Sequence, residues 1–396
     1  VKLPLLVCSS LPPAHPDFSV CIPEFHRLTT GIQECKHSEK RSAGMDMDTT
    51  KRPVIALIGA GMVAKTHVAA CVDAAQKVRL KGISSRSNAR ADALAKDASS
   101  QLGHDVITYG SVDAIASDPE IDFVIIATPP NVRLELIEPL AQAGKHILLE
   151  KPIGRTAGES RDIVDACKSA GVKLGIVFQH RARSASQIAA EMIKSGELGP
   201  LGLVEMNVPW WREQAYYDEP GRGTYERDGG GVLISQAIHT IDLALSLTGP
   251  VMSVQAMAKT TRFHHMESED FVVAGLEFTN GAVGSLVAST ASYPGGAESI
   301  TLHFQNATLH LESGQLKVNP RDGEKSVHGD EASTGGGADP MAFTHDWHQT
   351  IIENFARVVT GAAAPFASGE DAMAAHNLIE AITRSSKNGK IEYLNS

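Results

Sequence analysis

The sequence predicts an α/β fold: a doubly wound parallel sheet in the first half, then a strand-rich second half built on a different plan. Three observations carry this. From Val54 to about residue 178, short apolar runs alternate with helix-period stretches, the pattern of a parallel sheet covered on both faces. The first run, VIALIG (54–59), leads into GAGMVA and an Ala-rich helical stretch, the setting of a phosphate-cradling turn. Beyond about residue 250, strand-like runs follow one another across NG and G turns, as in a meander.

A chain of 396 residues with 42% hydrophobic side chains is large enough for two domains with full cores. The net charge is −10, with no basic block after residue 52, which argues against nucleic acid or a membrane surface as partner. No apolar run reaches the length of a bilayer span. Five Cys, at 8, 21, 35, 71 and 167, form no CxxC pair; this odd, scattered set fits a reducing cytoplasm. Residues 1–50 are expected to be a disordered extension. They are rich in Pro, lack a sustained period, and end near Met45 and Met47, just ahead of the first strand. Residues 51–175 are then the dinucleotide-binding domain and 176–396 the second domain.

Within the first domain, Gly59, Gly61 and Ala64 give G-x-G-x-x-A, with Met62 and Val63 inside the turn. Gly59 permits the tight turn, Gly61 lets the backbone approach a pyrophosphate, and Ala64 permits close helix packing. The following helix presents its free amides to the phosphates. A strand at 79–84, a helix at 87–101, a strand at 121–127, a helix at 131–143, a strand at 145–149, a helix at 156–170 and a strand at 172–178 continue the alternation. Ligands of such sheets lie outside the carboxyl ends of the strands. That places Thr128, Pro129 and Asn131 of TPPN, and Glu150 and Lys151 of EKP, beside the cofactor. The second strand ends in SSRSNAR (84–90), without an acidic residue to hold a ribose 2′-hydroxyl. Ser85 and Arg86, with Arg90 as a further candidate, suit a 2′-phosphate instead, so NADP is expected in preference to NAD.

IGAGMVAKTH, ATPPN, LLEKP and GGGVLISQAIHTID, in this order, with IIENFARVVTGAAAPFASGEDAMAAHNLIEAI near the end, make the chain resemble the glucose–fructose oxidoreductase / inositol dehydrogenase / MocA (Gfo/Idh/MocA) family from about residue 53 to 394. The resemblance implies an N-terminal Rossmann domain with a doubly wound parallel sheet. It also implies a C-terminal α/β domain with a large, mostly antiparallel sheet whose open face forms the oligomer contact, hence a homodimer or homotetramer. VQAMAK, DFVVAGLEFTN, GAVGSLVAST, ESITLHFQN and ATLHLES read as its strands.

The resemblance also implies that Lys151 of EKP reaches both substrate and nicotinamide, where an ammonium favours a developing alkoxide. His239, in a helix expected at 232–247, is suited to take a proton. The family motif commonly reads Asp-x-x-x-His, and this chain has Ser235 in the Asp position. A serine is no competent base, so His239 is expected to work with Lys151 while Ser235 and Gln236 bind substrate. Asp242, at i+3 from His239, either orients that His or pairs at the domain interface. Gln179 and Arg181, beside His180 at a strand end, are further substrate candidates, Arg181 with bracing as its alternative. Trp211, Arg212, Tyr216 and Tyr217, with Arg222, suit a polar ring: aromatic faces stack on sugar C–H surfaces and guanidinium groups bind ring substituents. His345 and His348 are spaced i, i+3 but have no evident carboxylate–His cluster around them, so no metal is expected.

The leading expectation is an NAD(P)-dependent oxidoreductase acting on a secondary hydroxyl or ketone of a polar cyclic small molecule: a sugar, nucleotide-sugar or cyclitol. One alternative is a cis-dihydrodiol dehydrogenase, with Arg181 or Arg212 gripping a ring carboxylate. Another is a non-catalytic dinucleotide sensor, which has no need of both Lys151 and His239.

Overall fold

The computed structural model describes residues 52–332, 341 and 343–394; the extension expected over residues 1–50 lies outside them. The strands of the first sheet are β1 (Val54–Ile58), β2 (Arg79–Ser84), β3 (Ile107–Tyr109), β4 (Phe123–Ile126), β5 (His146–Glu150) and β6 (Leu174–Val177). The order is β3-β2-β1-β4-β5-β6, parallel throughout. Its helices are α1 (Ala64–Asp73), α2 (Asn88–Leu102), α3 (Val112–Ala116), α4 (Arg133–Gln142) and α5 (Ala157–Ser169). β1, β4 and β6 are buried along their whole length, which is why they read as unbroken apolar runs. The chain order reverses between β1 and β4, and the crevice at their carboxyl ends is where such a sheet takes a ligand.

Next come α6 (Ser184–Lys194), the strand β7 (Leu201–Pro209), the short helix α7 (Gln214–Tyr217) and α8 (Ile238–Thr248). The meander follows: β8 (Val251–Lys259), β9 (Phe271–Phe278), β10 (Val283–Ser289), β11 (Ser299–Phe304), β12 (Ala307–Glu312), β13 (Gln315–Pro320) and β14 (Ser326–His328). α9 (Asp346–Val359), α10 (Gly369–Asn388) and the edge strand β15 (Glu392–Tyr393) close the chain. The second sheet runs β14-β13-β12-β11-β7-β10-β9-β8-β15, antiparallel except for the parallel β7–β10 pair. β7 sits at its centre although it comes first in sequence. Strict alternation of buried and exposed residues along β9 shows one face packed against helices and one face open.

The expected elements stand with three changes. Ile107–Tyr109 and Val112–Ala116 add a strand and a helix between α2 and β4. The helix expected at 131–143 starts after a 3-10 turn at Pro130–Val132. The helix expected at 232–247 divides into a wide π turn at Leu233–Ala237 and the regular α8. The turn begins where Gly231 meets Glu269: a Cβ on Gly231 would lie 1.8 Å from the Glu269 carbonyl oxygen. That carbonyl accepts from Val232 N at 2.8 Å, and the Glu269 carboxylate accepts from Leu233 N at 3.1 Å, so one residue satisfies two amides left open at the helix start.

The C-terminal chain returns to the first sheet. Ile351, Ile352 and Phe355 of α9 share a core with Ile55, Leu57 and Phe123, and the Phe355 ring packs edge-on to Phe123 at 5.2 Å. No described helix is long and apolar enough to cross a membrane.

Candidate active site

A cavity of about 890 Å³ lies at the carboxyl ends of β1, β2 and β4. Gly59 and Gly61 form its floor, Thr128, Pro129 and Asn131 one wall, and Ser85, Arg86 and Arg90 the far end. Gly59 has φ +114°, and a Cβ there would stand 2.7 Å from the Ala127 carbonyl oxygen, so only glycine fits. A Cβ on Gly61 would meet no protein atom within 4 Å, because Gly61 faces the cavity. The turn therefore offers bare backbone at the N-terminus of α1, which fits a dinucleotide pyrophosphate.

A second cavity of about 290 Å³ adjoins the first. Gly61, Ala127, Thr128, Pro129 and Arg227 line both, so the two are continuous. Met62, Val63, Glu150 and Lys151 line the smaller one. Glu150 is buried. Its Oε1 lies 2.8 Å from His67 Nε2, and its Oε2 accepts from Lys151 N at 3.2 Å. His348 Nε2 stands 3.5 Å from Oε1 without an aligned hydrogen bond, and burial holds this imidazole below its ordinary range. Burial opposes ionisation of Glu150, yet the two imidazoles outweigh it and hold the carboxyl well below its usual range. A carboxylate–His cluster thus does accompany His348, contrary to expectation. His67 and His348 meet edge-on at 5.0 Å around this carboxylate, and the three residues could by distance hold a metal ion. In the present arrangement His67 and the Lys151 amide already occupy Glu150.

Lys151 Nζ donates to the Ser235 carbonyl at 2.8 Å. Burial brings its pKa down to about 8; the Glu150 charge opposes this, while Arg133, Arg222 and Arg212 add to it. Ser235 meets Lys151 through its backbone, and its hydroxyl donates back to the Gly231 carbonyl. The Ser235 hydroxyl thus spends its proton within the turn, while Ser235 lines the cavity and its oxygen keeps acceptor capacity. Gln236 Nε2 stands 3.3 Å from the Tyr216 hydroxyl, and Gln236 Oε1 is buried without a hydrogen-bond partner among the described residues.

His239 lines the smaller cavity and stacks on His180 at 5.0 Å. Burial, then the Lys151 charge, holds it well below the ordinary imidazole value. His180 is lowered in the same way, by burial and then by Arg183. Both rings are neutral near pH 7, so His239 can exchange hydrogen bonds with a hydroxyl but holds a proton poorly. Lys151, with a pKa near working pH, is the better matched proton carrier.

Among the remaining candidates, Gln179, Arg212, Tyr216 and Arg222 line the smaller cavity. Arg181, Trp211 and Tyr217 do not reach it. Arg181 grips Asp242 through two bonds of 2.7 Å and donates to the Phe366 carbonyl; it braces the fold, and Asp242 is its partner rather than an orienter of His239. Trp211 donates to Glu213 and packs on Tyr293. The Tyr217 hydroxyl shares a 2.6 Å bond with Thr290. His345 pairs with Asp73. Arg133, Trp210, Arg227 and Phe343 line the cavity without having been foreseen. Arg133 was readable in part, since it follows TPPN by two residues. The others enter by tertiary contact alone.

The site joins a dinucleotide cleft to a small polar pocket holding a lysine of lowered pKa and a neutral histidine, which defines an NAD(P)-dependent dehydrogenase acting on CH–OH groups. Residues 54–178 match the model of an oxidoreductase family with an NAD-binding Rossmann fold, and residues 186–334 match the GFO/IDH/MocA C-terminal domain. The chain belongs to the Gfo/Idh/MocA family. It is similar to the levoglucosan dehydrogenase of Pseudarthrobacter phenanthrenivorans, 27% identical over 345 residues, 80% of this chain and 82% of that protein. It is 26% identical over 313 residues to D-xylose 1-dehydrogenase (NADP(+)) 2 of Haloferax volcanii, 78% of this chain and 89% of that one. The WlbA dehydrogenase from Bordetella pertussis, solved in complex with NADH and UDP-GlcNAcA, superposes with a TM-score of 0.73 at 26% identity, over 87% of this chain and 100% of that chain.

The Arg181–Asp242 pair generates a stability prediction. Asp242 is 1% exposed, so Asp242→Asn leaves Arg181 with its charge half-buried and poorly compensated. The variant should lose roughly 3 kcal/mol or more in urea unfolding while dinucleotide affinity at 25 °C stays within twofold. A loss below about 0.5 kcal/mol contradicts the bracing role.

Proposed function

We propose that this protein interconverts a secondary alcohol and a ketone on a sugar, nucleotide-sugar or cyclitol, with NADP preferred. The observation that carries this reading is the convergence of Lys151 and His239 on a pocket that shares its wall with the dinucleotide cleft. The relatives act in the same range: one is named for levoglucosan, one for D-xylose, and one was solved with a nucleotide-sugar acid.

A dinucleotide held by the Gly59–Gly61 turn, Thr128 and Asn131 would supply the hydride acceptor for the hydroxyl-bearing carbon. The chain's residues manage the proton. Neutral Lys151 accepts it from the hydroxyl as the carbonyl forms, and Lys151 as ammonium returns it in the reverse direction. His239, kept neutral by burial, orients the hydroxyl by hydrogen bonding. The Ser235 carbonyl holds Lys151 Nζ in place, and Arg133 fixes the EKP turn by donating to the Glu150 and Pro152 carbonyls. Because Lys151 must be neutral for oxidation, kcat/KM for oxidation should rise through about pH 8 and level off above it; the reductive direction should fall over the same range. Lys151→Met should lower kcat by roughly 10²–10⁴ and abolish that limb. A profile flat from pH 7 to 9.5 in the native protein argues against this role.

Support for NADP is the far end of the cleft, where Ser85, Arg86 and Arg90 line the cavity and no carboxylate of the 84–90 segment does. A guanidinium pairs with a 2′-phosphate, whereas the plain ribose of NAD gains nothing from it. In fluorescence titrations NADPH should bind at least tenfold tighter than NADH, and Arg86→Ala should remove the difference. Equal affinities in the native protein would place Arg86 outside recognition.

The open face of the second sheet supports a homodimer or homotetramer. Val287, Val273 and Met257 lie side by side across β10, β9 and β8, and all three are exposed. Such an apolar row on an unpaired face is suited to a second copy. Light scattering should give at least twice the monomer mass, and Val273→Glu with Val287→Glu should give the monomer. A native monomer at micromolar concentration contradicts the assembly. The described cysteines, Cys71 and Cys167, are buried free thiols, which accords with a cytoplasmic location.

A further inference from the structure

Among the described residues, those beyond the first sheet that line the dinucleotide cleft all come from one segment: Glu219, Pro220 and Arg227. The same segment, residues 219–228, reaches the substrate pocket through Arg222, Arg227 and Asp228. It is tied down on both sides. Toward its own half, Tyr225 N donates to the Glu267 carboxylate at 3.1 Å, and the Ser268 hydroxyl donates to the Gly223 carbonyl at 2.6 Å. Toward the dinucleotide domain, Arg155 Nη1 donates to the Glu226 carbonyl at 2.7 Å. Arg155 is itself fixed by Glu159, to which its Nε makes two contacts of 3.0 Å. Just past the segment, Gly229 (φ +85°) runs so close that a Cβ would stand 2.5 Å from the Arg155 carbonyl oxygen. A loop anchored at both edges and lining two adjoining cavities is built to retain what fills them.

Arg227 stands at the junction of the two cavities, which Gly61, Thr128 and Pro129 also line. Gly61 is where bare backbone meets the cleft, so a pyrophosphate held by the amides of that turn would share the junction with the guanidinium. The side chain is laid across Gly221 (φ +78°): a Cβ there would stand 2.7 Å from Arg227 Cδ, so glycine leaves the room that seats it. Nη1 donates to the Pro220 carbonyl at 2.6 Å, and Nε stands 3.6 Å from Asp228 Oδ1. These contacts orient the group without exhausting it, because a guanidinium carries five N–H donors and the side chain keeps 28% exposure. Glu219, the carboxylate of this segment that lines the cleft, is held by Arg222 at 2.7 Å. An oriented guanidinium beside a phosphate-binding turn matches phosphate oxygens in charge and in donor geometry.

We infer that residues 219–228 form a strap across the dinucleotide cleft and that Arg227 binds the pyrophosphate, so that the second half of the chain holds the cofactor as well as the substrate. This rests on the dinucleotide reading of the cleft and adds to it a phosphate ligand from outside the Rossmann domain. The pyrophosphate is common to both nicotinamide cofactors, so Arg227 contributes equally to each, unlike the part proposed for Arg86. A nucleotide-sugar substrate would bring a diphosphate of its own, and the test is therefore run without substrate.

The test follows reduced-nicotinamide fluorescence with the full chain, native and as Arg227→Gln, Arg227→Lys and Arg155→Gln. NADPH and NADH are titrated, and their release is timed by stopped-flow displacement with excess oxidised dinucleotide. Loss of a hydrogen bond to a charged group is worth roughly tenfold or more, so Arg227→Gln should raise Kd for both dinucleotides by that factor, chiefly through faster release. Arg227→Lys should recover part of the loss. ADP-ribose, which has the pyrophosphate but no nicotinamide, should lose the same factor in competition. Arg155 lines neither cavity, yet Arg155→Gln unlatches the strap and should speed both binding and release at least threefold. A change confined to NADPH would assign Arg227 to the 2′-phosphate, and one that spares ADP-ribose would assign it to the nicotinamide end. Either result, or no change at all, overturns the pyrophosphate contact, and unchanged rates in Arg155→Gln overturn the strap, while the dehydrogenase reading stands. Failure of the native chain to bind either dinucleotide overturns both.

Discussion

Glu150 carries its charge into the interior, where an isolated carboxylate would cost several kcal/mol, and three groups make it tolerable. His67 comes from α1, His348 from α9, and the Lys151 amide from the next residue. The first helix of the dinucleotide fold and a helix almost two hundred residues beyond Glu150 are thereby tied to one strand end. Lys151 can point only one way from that anchor: its amide is held by Glu150 and its Nζ by the Ser235 carbonyl. The charge of Glu150 also keeps the lysine from losing its proton altogether in a pocket crowded with guanidinium groups. Position and proton affinity of the proposed proton carrier thus depend on the same buried carboxylate.

The π turn at Leu233–Ala237 is the matching device from the second half. Gly231 lets the chain pass hard against Glu269, and Glu269 satisfies the amides of the opening turn. The turn then presents the Ser235 carbonyl to Lys151, and His239 follows on the same side. The common aspartate of the family motif is replaced by Ser235, whose hydroxyl is bonded to Gly231. What remains is a lysine–carbonyl contact and a neutral imidazole. In the proposed reaction, proton transfer therefore leans on Lys151 more than the motif implies.

Much of this was legible in the residues. Gly59, Gly61 and Ala64 mark a turn whose geometry tolerates little else, and unbroken apolar strands mark a sheet covered on both sides. TPPN and EKP follow such strands directly, so their placement needed no tertiary information. The parts that were hidden depend on contacts distant in sequence. The union of His348 with Glu150 requires α9 to fold back on α1. Arg181 has the same composition whether it faces a ligand or Asp242, and only the 2.7 Å pairing decides. β7 lies alone between helical stretches, yet it becomes the centre of a nine-stranded sheet. A π turn has no periodic signature, because one wide turn hardly changes the apolar pattern of a helix.

The most direct measurement is the titration of Lys151 Nζ by NMR on protein labelled with ¹⁵N at lysine side chains, in the native chain and in Glu150→Gln, with Lys151→Met identifying the resonance. The account predicts a midpoint near 8 in the native protein and a lower one, by on the order of one pH unit, in the variant, because removal of the neighbouring negative charge disfavours the ammonium. An ordinary lysine midpoint above 10 in the native protein, or the same midpoint in both proteins, would contradict it.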